Sequence, residues 1–267
     1  LTIRLLGTGA ADGIPGFYAT DRVSRHARAH GGKDARTRSA ALVDGVLKID
    51  LPPDTLCQLH RDRLDARDWT ALVFTHSHED HFAVSEIQYA LYPFTELEQL
   101  PFQIYGNETV RGIITDRYPD WPIDFITFRG FSPREVAGYK VTPLPAHHQP
   151  AEACFNLLIE RDRTLLYATD TGVWDEPTFE FLTSKRLDCL VIECTEGFRD
   201  SGYDGHLNLE TLAGVLSRLR ATGTVTPSTQ VITTHHAATG NGTHAELEAA
   251  LAPLGARPGF DGMVITF

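Results

Sequence analysis

Between Phe74 and Phe82 the chain reads Phe-Thr-His-Ser-His-Glu-Asp-His-Phe. Three histidines and an aspartate follow directly on the apolar run Ala71–Phe74. Imidazole is a good ligand for Zn²⁺, Mn²⁺ and Fe, and carboxylate suits harder ions. In a locally extended segment His76 and His78 point to the same side and can grip one ion. Asp80 and His81 turn toward another side and can grip a second. One loop cannot complete two coordination shells, and the same grammar recurs elsewhere. Leu165–Ala168 is an apolar run followed by Thr169 and Asp170; Val231–Thr233 is followed by Thr234 and His235. Three strand-like runs thus end in threonine and then a ligand type. A fourth piece, Pro143-Leu-Pro-Ala-His-His, offers His147 or His148. Ligands in α/β folds gather at the carboxyl ends of strands. The expected arrangement has His76, His78 and one of His147 and His148 on one ion, Asp80, His81 and His235 on a second, and Asp170 bridging. Two ions about 3.5–4 Å apart can share a hydroxide and clamp a substrate oxygen.

The elements that must position these groups are short. Strand-type runs occur at Ile3–Leu6, Ala40–Val43, Val46–Ile49, Ala71–Phe74, Phe102–Tyr105, Tyr139–Thr142, Phe155–Ile159, Thr164–Tyr167, Leu190–Ile192, Val231–Thr233 and Met263–Phe267, each with β-branched or aromatic residues and turn residues nearby. Helices fall between them. Leu209–Arg220 keeps five aliphatic residues on one face behind a candidate N-cap, Asn208. Ala245–Ala252 follows a capping box of Thr243 and Glu246. Weaker helical stretches are Thr55–Arg63, Val84–Leu91, Thr109–Arg117 and Thr178–Ser184. The pattern predicts layered α/β architecture with mixed sheets. Gly16–Ser39 shows no periodicity and reads as a long loop, and such loops are often functional. Asp50 and Asp54, around Pro52-Pro53, are placed either to tune metal ligands through hydrogen bonds or to serve a turn.

The 267 residues carry a net charge of −11, which argues against nucleic-acid polymers as partners. No apolar stretch is long enough to span a membrane, and Leu1–Gly7 reads as a strand rather than a signal segment. Cys57, Cys154, Cys189 and Cys194 form no CxxC pair, so reduced thiols and a cytoplasmic location are expected.

His76-Ser-His-Glu-Asp-His81, His148, Asp170 and His235, with the early Gly7-Thr-Gly9 turn, resemble the metallo-β-lactamase superfamily. The likeness spans almost the whole chain and implies one hydrolase domain over residues 1–267, an αββα sandwich of two mixed sheets with a dinuclear site at one edge. The nearer resemblance is to the phosphodiesterase branch, which includes the cyclic-phosphate phosphodiesterase of the carbon–phosphorus lyase pathway and, more distantly, the tRNA 3′-end nucleases. Its carriers include Gly31-Gly-Lys-Asp34, Arg36-Thr-Arg-Ser39, Ile49–Thr55, Tyr167–Gly172, Gly205-His-Leu-Asn208 and Phe260-Asp-Gly-Met263. In that branch the ligand histidine follows a Pro-Leu-Pro step at the spacing of His148. The branch also implies that His206 is the proton donor, and a near-neutral imidazole suits protonation of a leaving alkoxide. The pathway enzyme holds a structural zinc with cysteines in the early loop and a histidine three residues past the last ligand. Here Phe17–Arg22 has no cysteine and that later position is Ala238, so no structural zinc is expected.

The implied protein is a hydrolase using two divalent ions (Zn²⁺ or Mn²⁺, with Fe the further option) on small or cyclic phosphodiesters. The ions would arm a hydroxide, with Asp80 part of the catalytic centre and His206 the acid. Lys33, Arg36 and Arg38 are candidate phosphate or sugar contacts, since a guanidinium binds phosphate through two nitrogens. Alternatives are a lactone or thioester hydrolase on the same scaffold, a tRNA 3′-processing nuclease, and a metal-binding protein without turnover. A homodimer is compatible with the sequence.

Overall fold

A computed structural model describes residues 1–267. In chain order the first half contains β1 (Thr2–Gly7), α1 (Arg22–His30), β2 (Ala40–Val43), β3 (Leu47–Ile49), α2 (Thr55–Asp62), β4 (Ala71–Val73), β5 (Gln103–Gly106), α3 (Glu108–Arg117) and β6 (Phe125–Thr127). The second half contains β7 (Arg134–Val136), β8 (Tyr139–Pro145), β9 (Phe155–Glu160), β10 (Thr164–Ala168), α4 (Glu176–Leu182), β11 (Cys189–Glu193), α5 (Leu209–Ala221), β12 (Gln230–Thr234), α6 (His244–Leu251), β13 (Arg257–Pro258) and β14 (Val264–Thr266). Two seven-stranded mixed sheets result, ordered β14-β1-β2-β3-β4-β5-β6 and β13-β12-β11-β10-β9-β8-β7.

Period-2 patterning explains why the sheets stack and why helices cover both outer faces. In β9, β10 and β11, Leu157, Ile159, Leu165, Tyr167, Cys189 and Val191 point into the core between the sheets. Their neighbours Leu158, Leu166, Leu190 and Ile192 point the other way, onto Phe179 of α4, Leu212 and Leu216 of α5 and Leu247 of α6. The first sheet does the same: Val43, Leu47, Ile49 and Val73 face inward, while Leu42 and Leu72 meet Leu59 of α2 and Val110 and Ile114 of α3. The architecture is therefore the four-layer αββα sandwich.

Several segments depart from the sequence expectation. Gly16–Ser39 is not a long loop, because α1 occupies its middle. Asp21 caps that helix by accepting from Ser24 N at 2.8 Å, and Val23 and Ala27 pack with Ile14 and Ala238 into a small apolar cluster. The four-residue spacing of Val23 and Ala27 is a helical signal hidden among arginines and histidines. Val84–Ala90 forms a 3₁₀ helix rather than an α-helix, and α4 begins at Glu176 with Pro177 in its first turn.

Direction sets where the strand ends lie. β10, β11 and β12 are mutually parallel. β9 is antiparallel to β10 and β8 antiparallel to β9, so β8 runs with β10. The carboxyl ends of β8, β10, β11 and β12 therefore share one edge of their sheet.

Candidate metal centre

Each proposed ligand follows a strand end, four after β4 of the first sheet and three on the shared edge of the second. β4 runs out at Val73, and the loop beyond Phe74 delivers His76, His78, Asp80 and His81. The ends of β8, β10 and β12 deliver His148, Asp170 and His235. Asp170 (φ 50°) and His235 (φ 55°) are in the left-handed region, as is Asp50 (φ 58°) after β3. Few side chains other than glycine enter this region, and strain of this kind concentrates at functional sites. Here it turns two ligands and their supporting aspartate sharply out of the strand direction.

The donors converge in two groups. The rings of His76, His78 and His148 form one, with ligand atoms within 4.8 Å of one another; Asp80, His81 and His235 form the other within the same limit. Asp170 lies between. Its carboxylate oxygens are 2.7 Å from His81 Nε2, 3.2 Å from His235 Nε2 and 3.8 Å from His148 Nε2. Of the neighbouring pair, His148 joins the cluster. His147 stays 38% exposed and faces Asp175 and Asp204 at 3.5 and 3.4 Å.

The chemistry of this cage calls for cations. His148 Nδ1 donates to Gly205 O at 3.1 Å and His81 Nδ1 to Asp50 Oδ2 at 2.8 Å. With those protons committed, the Nε2 lone pairs face inward. His148 Nε2 meets His78 Nδ1 at 3.1 Å, and His81 Nε2 meets His235 Nε2 at 3.3 Å, beside the Asp80 and Asp170 carboxylates. His76 Nε2 is buried with no hydrogen-bond partner. Lone pairs and carboxylates facing one another repel unless positive charge lies among them, and buried polar atoms left unpaired are rare. These donors fit divalent metal.

Titration behaviour follows from the same crowding. Burial, assisted by neighbouring histidines, pulls His76 well below its usual value. Burial also lowers His148, against the pull of Asp170. At His81 burial acts downward too, but the Asp170, Asp80 and Asp50 carboxylates outweigh it and raise the ring well above the usual range, a pull that a proton or a metal cation on Nε2 would answer. Asp170 is held well below the carboxylate range despite burial, by His235 and His81.

A supporting layer fixes these ligands. Asp50, fully buried, accepts from Thr75 N at 2.8 Å and from the Thr75 hydroxyl as well as from His81. Of the two duties considered for Asp50, ligand support is the one this geometry serves. Asp54 instead accepts from Arg38 N at 2.9 Å and from the Arg38 guanidinium. Glu193, the last residue of β11, was not marked by the sequence. Fully buried, it accepts from Thr171 N and His206 Nδ1, each at 2.7 Å, from Leu207 N at 3.1 Å, and from Thr195 N and its hydroxyl. The Thr195 hydroxyl in turn faces His235 Nδ1 at 2.9 Å. One carboxylate thus orients a ligand histidine and His206 together. The available signal was an acidic residue ending the apolar run Leu190–Ile192, which alone is too common to decide anything.

His206 lies beside the cage, with Nε2 3.9 Å from Asp170 Oδ1. Burial would lower its pKa, but the adjoining Glu193 charge and hydrogen bond prevail and push it up to about 9. Gly172 permits the loops to meet. Its N–H donates to His147 O at 2.6 Å, and a Cβ there would lie 1.7 Å from Asp204 O.

The basic candidates Lys33, Arg36 and Arg38 differ in their surroundings. Arg36 is buried, and its fork is occupied by Thr8 Oγ1 (2.7 Å), Gly259 O (2.6 Å) and His244 Nδ1 (3.1 Å), so it holds the fold together. Arg38 is tied to Asp54 and to Ala11 O. Lys33 is exposed and its ammonium sits 4.8 Å from the Phe260 ring centre. No helix is long and apolar enough to cross a membrane.

Structural likeness spans the full sandwich. A diphosphatase of the PhnP family superposes with a TM-score of 0.78 at 21% identity, covering 100% of this chain and 97% of the other. Zn²⁺-bound PqqB from Methylobacterium extorquens gives 0.78 at 17% identity, with 100% of both chains covered. The short form of human tRNase Z gives 0.65 at 16% identity, covering 100% and 99%. No curated protein matches by sequence. The family described as the beta-lactamase superfamily domain matches residues 41–236, a span holding all seven cage residues together with Asp50, Glu193 and His206. The chain belongs to the beta-lactamase superfamily.

Proposed function

We propose that the protein is a metal-dependent hydrolase of phosphodiesters, small or cyclic, with two divalent ions held by His76, His78 and His148 and by Asp80, His81 and His235, Asp170 serving both. Bound there, such ions supply Lewis acidity, activating water and neutralising charge on a phosphoryl oxygen. The remaining work belongs to side chains of this chain. Asp50, Glu193 and Thr195 fix the ring orientations of His81, His206 and His235. His206 holds a proton on Nε2, with Nδ1–H committed to Glu193, and gives it to the departing alkoxide.

The observation that carries this reading is the placement of His206 next to the cage with Glu193 behind it. An alkoxide leaving phosphorus needs a proton, and a positioned acid contributes about 10²–10⁴-fold. The likeness to a PhnP-family diphosphatase supports a phosphoryl rather than an acyl substrate. Acyl transfer on the same scaffold would need the metals but has less call for an acid on this side.

His206→Ala tests the role. With metal content unchanged, the variant should lose about 10²-fold or more on a diester with an alkyl leaving group. It should lose under about tenfold on bis(p-nitrophenyl) phosphate, whose phenolate departs unaided. Equal losses on both substrates would remove His206 from proton transfer. Failure of the metal-loaded protein to cleave any phosphodiester, with turnover of lactones, would transfer the assignment to acyl substrates.

A further inference from the structure

Beside the metal cage, on the far side of His206, lies a cavity of about 380 Å³. Its wall includes His147, Glu196, Asp200, Tyr203, Asp204 and His206, and no lysine or arginine lines it. His206 is shared by the cage and the cavity, so a group leaving toward His206 continues into this space. We propose that the cavity receives the leaving alcohol of the diester and selects one that carries a cationic amine. This inference rests on the phosphodiesterase reading and deepens it.

Charge is the first argument. Three carboxylates face the cavity. Asp200 and Asp204 stand on an exposed loop, and Glu196 lies behind them with its Oε2 4.0 Å from Arg199 Nε. They outnumber the protonated His206 in the same wall, whose Nδ1 is bonded to Glu193 behind it, and a cleft with an excess of one sign of charge concentrates ligands of the opposite sign. The second argument is Tyr203, whose ring centre is 5.6 Å from that of His206 and which is 51% exposed. Its hydroxyl donates to His148 O at 3.3 Å, which fixes the ring at the mouth. An aromatic face near carboxylates is a receptor for an ammonium group. A leaving group bearing further phosphate would meet repulsion here, because Arg36 and Arg38 are occupied elsewhere. An uncharged polyol would find acceptors but gain nothing from the unbalanced charge.

The test compares methyl phosphodiesters of choline, of its uncharged isostere 3,3-dimethylbutanol, and of glycerol, with metal-loaded protein and product identity read by ³¹P NMR. The choline ester should show kcat/KM about tenfold above the isostere, a preference that shrinks with added salt. Asp200→Asn combined with Asp204→Asn, both in an exposed loop, should cut that ratio to about twofold, and the distant Asp162→Asn should leave it intact. Equal kcat/KM for choline and its isostere, a faster glycerol ester, or a preference unchanged in the double variant would overturn the inference while the phosphodiesterase reading stands. No cleavage of any diester, bis(p-nitrophenyl) phosphate included, would overturn both.

Discussion

Replacing Glu193 with glutamine keeps the shape of the side chain and removes one of its two acceptor oxygens. The consequence can be worked from the hydrogen bonds. Oε1 accepts from Thr171 N and His206 Nδ1, while Oε2 accepts from Thr195 N and Leu207 N as well as the Thr195 hydroxyl. With the NH₂ at the Oε2 position it confronts the backbone N–H groups of Thr195 and Leu207; at the Oε1 position it confronts that of Thr171 alone, because the His206 ring can keep its proton on Nε2 and accept at Nδ1. A hydroxyl can rotate, so Thr195 adapts, but only by giving up its present relation to His235 Nδ1. Each buried donor left without an acceptor costs about 1–3 kcal/mol, so the variant, settling in the less costly orientation, should lose roughly 1–3 kcal/mol of stability. Typical total stabilities are about 5–15 kcal/mol, so this is a large fraction but leaves a folded protein to assay. Activity should fall further than stability explains, because an amide NH₂ facing His206 Nδ1 removes the acceptor that keeps both ring nitrogens protonated, and one facing Thr195 disturbs the hydroxyl that orients His235. Losing support of this kind typically costs about 10–100-fold in metal affinity or activity. Urea unfolding of metal-loaded wild type and Glu193→Gln gives the first quantity, and diesterase kcat/KM with metal content gives the second. A stability change below about 1 kcal/mol together with unchanged kcat/KM would refute the claim that Glu193 is the hub of this edge.

Other predictions follow from the same geometry. Stripping divalent ions with a chelator should lower the melting temperature by about 5–10 °C, and restoring Zn²⁺ or Mn²⁺ should recover it, because bound ions relieve the facing lone pairs and stabilise by mass action; a melting temperature indifferent to the chelator would speak against the cage. Gly172→Ala should keep the circular dichroism of the wild type yet lose more than about tenfold in kcat/KM, since a Cβ at 1.7 Å from Asp204 O forces apart the loops carrying His147 and His206; near-normal kinetics would show that this contact is slack. His244 is held down to about 4, first by burial and then by the guanidinium of Arg36, which donates to its bare Nδ1. Its folded pKa lies below the unfolded value, so the stability it contributes is complete above pH 6.5 and is lost as the pH falls toward 4. About 2–3 kcal/mol is at stake. In urea titrations His244→Gln should flatten that part of the acid slope, and parallel slopes would exclude the mechanism.

The convergence of the cage residues was legible because histidine and aspartate at such density suit few duties other than metal binding. Histidine and aspartate placed after threonine at the ends of apolar runs state both a chemistry and a place in the fold. The same reasoning went astray at Arg36. An arginine in a polar loop carries no mark of whether its fork will meet a ligand or the carbonyl of Gly259, and only packing decides. Glu193 was invisible for the converse reason. Its partners Thr171, Thr195, Leu207 and His206 come from three segments that meet only after β10 and β11 pair and α5 docks, so nothing local sets this glutamate apart. The strands β9–β11 were readable as continuous apolar runs, whereas the left-handed turns at Asp50, Asp170 and His235 were not, since these residue types enter that region only when the surroundings compel it. What the sequence hides is therefore consistent in kind: it is the supporting layer, whose residues are ordinary in type and become specific only through contacts distant in the chain. The candidate ligands stand out by type, and the groups that aim them do not. For that reason a substitution at Glu193 tests the reading of this edge more severely than one at any of the histidines, where loss of activity is expected under every reading of the cage.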